Sequence, residues 1–276
     1  MKVIHFATAN EFRATCRDWL MENEDINNGL LDLVELLSTG HQVFQAPYLF
    51  ASINNSAGIV GCAIHAMPDG LVMSDMPNDA VAILVHSLRS KIAHINRVFG
   101  PDGVASQLAA LWGDSVGTDP VVESKWKIYR LDQVIPIDTI STGKLRIGND
   151  DDIGLVREWG QAYGDEKVSL LEVADFMARK LSDRDLFIWH DERPRTIVTL
   201  SGRSKNGVRI SAVFTPLKYR GRGYASAAVA SLSNSILRDG YEFVTLTAEI
   251  GDPAERVYKQ LGYYVIGNRT CYKFDI

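Results

Sequence analysis

Hydrophobic positions along the chain alternate between helical and strand-like spacing. Apolar residues recur three and four apart around residues 12–20, 30–37, 80–88 and 104–111, which predicts amphipathic helices there. Short apolar runs bounded by turn residues predict strands at residues 48–53, 59–65, 71–73 and 126–134. The first half of the chain therefore combines helices and strands.

Residues 136–143 are rich in Pro, Asp, Ser, Thr and Gly and interrupt the alternation of predicted helices and strands, which resumes after them. After it the spacing predicts strands at 145–147, 186–189, 196–201, 208–215 and 243–247, with closing strands up to 274. Helices are predicted around 153–159, at 170–181, from 224 to 237 and at 253–261. We expect a mixed α/β (α+β) chain of two domains, 1–136 and 143–276, joined by a linker at 137–142.

The two halves share an order of elements, and residues 99–112 weakly echo residues 249–262, which suggests a repeat. They differ at one turn, which we call the glycine turn: Arg220-Gly221-Arg222-Gly223 in the second half. The first half has Asp75-Met76-Pro77-Asn78 in its place, without glycine and with the wrong charge for phosphate. If the first half has the same fold, we expect it to have lost the ligand.

Composition limits the possible classes of function. The 276 residues are 46% hydrophobic and carry a net charge of −5, which fits a soluble globular protein and argues against a general nucleic-acid binder. Three distant cysteines favour a reducing compartment, and the N-terminus lacks an apolar signal-peptide core, so we expect a cytoplasmic protein without a membrane span. The histidines show no metal-ligand spacing, so no metal is expected.

The glycine turn follows an apolar strand and opens an amphipathic helix. Its glycines allow the backbone to approach a ligand closely, and the helix N-terminus that follows adds partial positive charge. Lys218, Arg220 and Arg222 add formal charge to the same segment, so we predict an anion site there. On spacing alone, an ordinary tight turn before a helix remains an alternative.

Two other glycine-rich signatures fit this segment less well. The triphosphate loop G-x-x-x-x-G-K-[ST] does not occur in the chain. A dinucleotide fingerprint would need glycine at position 226, where this chain has Ser226. It would also need several further strand–helix units, for which the remaining chain is too short. Ser226 is better explained as a helix-start contact than as a nucleophile.

A second motif, Asp252-Pro253-Ala254-Glu255, has the residues of a helix start: Asp as cap, Pro at the first position and Glu three residues after the cap. Tyr258 lies on the apolar stripe of that helix. From spacing alone, Tyr258 is better explained as a core aromatic whose hydroxyl bonds a backbone carbonyl.

Together, V-F-T-P-x-x-Y-R-G-R-G-Y-A-S-A and D-P-A-E-R-V-Y-K-Q-L-G-Y resemble the GNAT superfamily of N-acetyltransferases over residues 143–276. The resemblance implies a central, mostly antiparallel twisted sheet flanked by helices, in two tandem GNAT-like domains, and acetyl-CoA as co-substrate. It implies that the backbone of Val213, Phe214 and Thr215 pairs with the pantetheine arm. The pyrophosphate would then be held by the residues from the glycine turn into the helix: Arg220, Gly221, Arg222, Gly223, Tyr224, Ala225 and Ser226.

By the same resemblance, Tyr258 protonates the departing thiolate. This chain has Asp252 at a position where the family usually has Asn. A base would help to neutralise the acceptor amine. Glu249 is the first candidate, and His190 is the second because imidazole titrates near neutral pH; each could equally be a solvated surface residue. We expect transfer of acetyl to a primary amine on a small molecule or peptide, by a monomer or homodimer. The alternative is a coenzyme A-binding sensor or scaffold that no longer transfers acyl groups.

Overall fold

The computed structural model describes residues 1–39, 48–67, 70–137, 141–166 and 173–274. The strands of the first half are β1 (Lys2–Phe6), β2 (Leu49–Asn54), β3 (Ile59–Met67), β4 (Gly70–Met73), β5 (Arg97–Pro101) and β6 (Val121–Leu131). The helices of the first half are α1 (Ala9–Met21), α2 (Glu24–Ser38), α3 (Asn78–Arg89) and α4 (Asp102–Val116).

The strands of the second half are β7 (Lys144–Ile147), β8 (Leu186–Asp191), β9 (Arg193–Ser201), β10 (Gly207–Phe214), β11 (Phe243–Glu249) and β12 (Tyr264–Lys273). Its helices are α5 (Ile153–Glu166), α6 (Val173–Ser182), α7 (Tyr224–Arg238) and α8 (Ala254–Gln260). Both halves follow one order of strand, two helices, three strands, helix, strand, helix and strand. The predicted α/β class and the mostly antiparallel pairing are confirmed.

Two strands of the first half are absent from the sequence prediction. The prediction begins with a helix, whereas β1 precedes it and pairs antiparallel with β2. It also has no strand before the helix at 104–111, whereas β5 runs through Pro101 into α4. Both strands are short and mix apolar with charged residues, so sheet pairing rather than local pattern decides their conformation. The part of the predicted 170–181 helix that precedes Val173 lies outside the described residues.

The structure divides into two compact units. The first comprises Met1–Ile128, Ala248–Ile250 and Val265–Ile276. Its strands lie in the order β1-β2-β3-β4-β5-β12, with β4 and β5 parallel. The C-terminal strand pairs antiparallel with β5, Arg269 opposite Pro101, so this unit is not continuous in sequence. Its cores are closed by the apolar faces of α1 and α2 and of α3 and α4.

The second unit comprises Tyr129–Thr247 and Gly251–Tyr264. Its strands lie in the order β11-β10-β9-β8-β7, and β10 and β11 form the parallel pair. Helix α7 connects these two strands. The spacing predicts one apolar face of Ala225, Val229, Leu232 and Ile236, of which the last three are buried and Ala225 is half-buried. Because that face is packed, the N-terminus of α7 is fixed at the end of β10.

Within the described ranges, no helix is both long and apolar enough to cross a membrane. Cys16, Cys62 and Cys271 are buried free thiols.

Candidate functional site

The end of β10 is bent before it reaches the glycine turn. The register between β10 and β9 shifts by one residue between Ile210 and Val213. The hydroxyl of Thr199 fills this bulge: it lies 2.7 Å from the Ser211 hydroxyl and accepts a 3.0 Å hydrogen bond from the Ala212 N–H. A bulge of this kind re-aims the end of a strand.

The bent end separates β10 from its parallel neighbour. The registered pairing joins residues 207–210 of β10 to residues 243–246 of β11, although β10 continues to Phe214. Among the described strands, Val213 and Phe214 have no pairing partner on the side of β10 that faces β11. Beyond the strand, the Thr215 hydroxyl lies 2.8 Å from the Thr196 hydroxyl of β9, which fixes the start of the following turn.

The glycine turn itself adopts the conformation that its sequence predicts. After a short 3₁₀ turn at Leu217–Tyr219, Gly221 and Gly223 have φ of +73° and +77°, in the left-handed region that only glycine adopts at low cost. A Cβ at Gly221 would meet no atom within 4 Å, and residues 220–223 are exposed. The backbone of this turn is therefore open to a ligand.

Helix α7 begins directly after the turn, with Gly223 as its N-cap. The bond from the Ala227 N–H to the Gly223 carbonyl (2.9 Å) starts its backbone ladder, so the N–H groups of Tyr224, Ala225 and Ser226 precede it. The first N–H groups of a helix have no intrahelical acceptor and carry the positive end of the helix dipole. Turn and helix together form a surface suited to an anion such as pyrophosphate.

The side chain of Arg220 anchors the turn. Its Nε donates to the Thr215 carbonyl at 2.8 Å, and its Nη2 donates to the carboxylate of Glu166 at the end of α5 at 2.6 Å. Much of its charge is therefore compensated by a protein carboxylate. Arg222 is exposed, and no partner is recorded for it among the described residues.

Tyr258 is buried on α8, in an aromatic group. Its ring centroid lies 6.1 Å from that of Tyr129 and 5.9 Å from that of Tyr263. Burial raises the pKa of Tyr258 well above 10, and the nearby Tyr163 and Asp252 raise it further. Because Tyr163 also packs against Phe214 (5.8 Å between centroids), the Tyr258 hydroxyl and the end of β10 share a neighbour.

The predicted helix start before Tyr258 is confirmed, one residue later than predicted. The Asp252 carboxylate accepts a hydrogen bond from the Ala254 N–H (2.8 Å), and Glu255 reaches back to the Gly251 N–H (2.9 Å). Asp252 therefore performs the capping role, and its charge also contributes to the raised pKa of Tyr258.

The two candidate bases lie at strand ends. Glu249 is the half-buried last residue of β11 and belongs, with Ala248 and Ile250, to the first unit. His190 is half-buried on β8, within electrostatic range of the Asp152 carboxylate.

Two charged residues beside the turn are absent from the sequence-predicted site: Glu166 and Arg195. The Arg195 guanidinium stacks on the rings of Tyr219 (4.7 Å) and Tyr224 (5.5 Å), which flank the glycine turn. The sequence alone does not single out Arg195, because a basic residue in a polar hairpin is common. Its contact with Tyr219 and Tyr224 arises only because β9 lies antiparallel to β10.

Comparison with known proteins agrees with this geometry. Residues 194–273, which include the glycine turn and α8, match the family model of FR47-like proteins. No match was found among curated protein sequences.

Solved structures of similar fold cover nearly the whole chain. A GNAT-family acetyltransferase from Colwellia psychrerythraea aligns with a TM-score of 0.59 at 11% identity, covering 99% of each chain. A tandem GNAT protein of the clavulanic acid biosynthesis pathway gives 0.59 at 15% identity, over 98% of each chain. A Drosophila protein gives 0.66 at 12% identity, also over 98% of each chain. These similarities confirm the GNAT resemblance at the level of the fold.

Proposed function

We propose that this chain, which has the GNAT fold, is an acetyl-CoA-dependent N-acetyltransferase. The observation that carries the proposal is the open glycine turn at the start of α7, placed at the end of a strand that has parted from its parallel neighbour. We further propose direct transfer to a primary amine of a small molecule or peptide, by a monomer or homodimer.

The residues at the turn fit the cofactor. The pyrophosphate would be held by backbone N–H groups of Gly221, Arg222 and Gly223 and by those at the start of α7, Tyr224, Ala225 and Ser226. The open edge of Val213 and Phe214, with Thr215 after it, would pair with the amide groups of the pantetheine arm. When bound, acetyl-CoA would supply the acetyl group as a thioester.

The remaining parts supply donors, an acid and a base. The N–H groups near Phe214 or Thr215 are candidate donors to a developing oxyanion. Tyr258, kept protonated by burial, is the proposed general acid, and its raised pKa means that it gives up its proton less readily than an exposed phenol. Glu249 is the proposed base, with His190 as the second candidate.

The proposed roles of the two halves follow the domain boundaries predicted from the sequence. Residues 143–276 would form the catalytic GNAT domain and residues 1–136 a degenerate GNAT-like domain, joined by the linker at 137–142. The pairing of β12 with β5 qualifies this division, because the last strand of the catalytic segment lies in the first compact unit.

A second candidate function is a coenzyme A sensor or scaffold that transfers nothing. The burial of Tyr258 favours it, since a phenol with so high a pKa is a reluctant proton donor. The two functions share the binding site and differ in turnover.

The test measures binding and turnover on the same protein. Calorimetry with acetyl-CoA, together with thiol release over a panel of amines, should show binding and acceptor-dependent release. Binding without release for any amine would favour the sensor. Folded protein that does not bind acetyl-CoA would contradict both.

A further inference from the structure

Arg195 is fixed beside the glycine turn by contacts on two sides. Its Nε donates to the Asp191 carbonyl at 3.1 Å across the β8–β9 hairpin. Its guanidinium lies over Tyr219 at 4.7 Å and over Tyr224 at 5.5 Å. Tyr219 immediately precedes the turn and Tyr224 immediately follows it, so Arg195 is held close to both ends of the predicted pyrophosphate loop.

A second cation and a hydrogen-bonded carboxylate lie near Arg195. The Lys218 ammonium lies 5.1 Å from the same Tyr219 ring, which brings a second cation to this ring. The Asp191 carboxylate of the hairpin accepts hydrogen bonds from the hydroxyls of Thr142 (2.9 Å) and Tyr224 (3.1 Å). No ion pair or Nη hydrogen bond is recorded for Arg195 among the described residues.

Arg195 therefore differs from Arg220, whose guanidinium is paired with Glu166. Arg195 and Lys218 bring two cations to the residue that precedes the glycine turn, and both would attract an anion bound at the turn. A planar guanidinium that is stacked and held by its Nε presents its outer N–H groups in the geometry that binds a phosphate with two hydrogen bonds.

We propose that Arg195 binds a phosphate group of coenzyme A and is a cofactor-affinity residue of this site. This inference rests on the proposed function, because it assigns a contact to the same cofactor. It adds to the glycine turn a side chain from a separate hairpin.

The test compares R195Q with R193Q, which removes the same charge from the exposed arginine two residues earlier. Dissociation constants for coenzyme A, 3′-dephospho-coenzyme A and pantetheine are measured by calorimetry for both variants and the unsubstituted protein. We expect R195Q to bind coenzyme A at least about tenfold more weakly, as for loss of a charge-assisted hydrogen bond, and R193Q to change affinity by less than about twofold.

The smaller ligands identify the phosphate. If R195Q weakens coenzyme A but not the 3′-dephospho form, Arg195 binds the 3′-phosphate; equal weakening of both assigns it to the pyrophosphate. Equal weakening of pantetheine, which has no phosphate, would overturn the assignment, as would an R195Q affinity no lower than that of R193Q. If R195Q does not fold, R195K replaces it, and unchanged affinity in R195K overturns the bidentate contact.

Failure of the proposed function gives a different result. In that case the unsubstituted protein itself does not bind coenzyme A. Normal binding by the unsubstituted protein and by R195Q alike would overturn only the role of Arg195.

Discussion

Arg220 and Glu166 form an ion pair, with 2.6 Å between guanidinium Nη2 and carboxylate Oε2, that ties the glycine turn to the end of α5. Both side chains are more than a third exposed, so the pair itself contributes at most about 1 kcal/mol. We expect its effect on the cofactor to be one of positioning, because Arg220 also holds the Thr215 carbonyl at the start of the turn.

The first prediction concerns this pair. E166Q should raise the KM for acetyl-CoA about two- to fivefold and leave kcat unchanged, since only the position of the turn is loosened. R220Q should raise it about tenfold, because the Thr215 contact is also lost. D165N is the matched control, because the neighbouring Asp165 carboxylate accepts a hydrogen bond from Gln161 of the same helix. Equal KM values for E166Q and D165N would contradict the positioning role.

The second prediction separates backbone strain from ligand binding at Gly223. G223E should abolish coenzyme A binding, because a side chain and a negative charge would enter the proposed phosphate site. G240E is the control, since Gly240 has φ +97°, open surroundings and a place after the C-terminus of α7, about 22 Å away along the helix. Both should lose about 1–2 kcal/mol of stability in denaturant unfolding. Retained binding in folded G223E would contradict the proposed site.

The third prediction tests Tyr258 against a neighbouring buried tyrosine. Y258F should lower kcat about 100-fold or more with little change in the dissociation constant of acetyl-CoA, as for loss of a general acid. Y263F should leave kcat unchanged and cost about 1 kcal/mol of stability, because it removes the hydrogen bond of 2.8 Å between the Tyr263 hydroxyl and the buried Ser233 hydroxyl. If Y258F turns over like the unsubstituted protein, Tyr258 is a core residue and the acid lies elsewhere.

Local sequence signals predicted the parts of the site that depend on the backbone. The glycines at 221 and 223, the start of α7 and the cap at Asp252 all follow from residue type and spacing. The fold class followed for the same reason, since the strand and helix periods are distinct in the second half.

Contacts between distant segments could not be predicted in this way. Glu166 meets Arg220 only because α5 ends beside the turn, and Arg195 meets Tyr219 only through the pairing of β9 with β10. The partner of the C-terminal strand was missed similarly: nothing local to residues 264–273 indicates that they pair with β5.

The fourth prediction is the stoichiometry of cofactor binding. In the first unit, the step from β4 to α3 corresponds in order to the step from β10 to α7. The buried Arg269 guanidinium donates to the Met73 carbonyl at 3.0 Å, at the end of β4. Met76 is buried against Gly61, where even a Cβ would come within 2.7 Å of the Met76 Cβ. In the first unit, Arg269 and Met76 therefore occupy the region that corresponds to the open glycine turn of the second unit.

Calorimetry should therefore give one coenzyme A per chain. R269Q should lower stability, because it removes a buried guanidinium that also donates to the Ile26 carbonyl at 2.9 Å, and should leave the stoichiometry at one. Two equivalent sites in the unsubstituted protein would contradict the loss of the first site.

The fifth prediction concerns acid stability and the start of α5. Two hydrogen bonds of 2.7 Å join Arg146 to the Asp152 carboxylate, which also accepts from the Asn149 N–H at 2.9 Å. The bond with Arg146 is the main reason that the pKa of Asp152 is lowered in the folded state. Because the pKa of Asp152 is lower in the folded state, its charge stabilises the fold at pH values above the unfolded pKa of about 3.9. This stabilisation is lost as the pH falls through the folded pKa.

D152N should therefore cost about 2 kcal/mol of stability near pH 7, and its difference from the unsubstituted protein should shrink below about pH 4. D150N, which changes an exposed neighbour, should cost little at either pH. Urea unfolding across this range checks both, and a penalty for D152N that does not vary with pH would contradict the role of its charge.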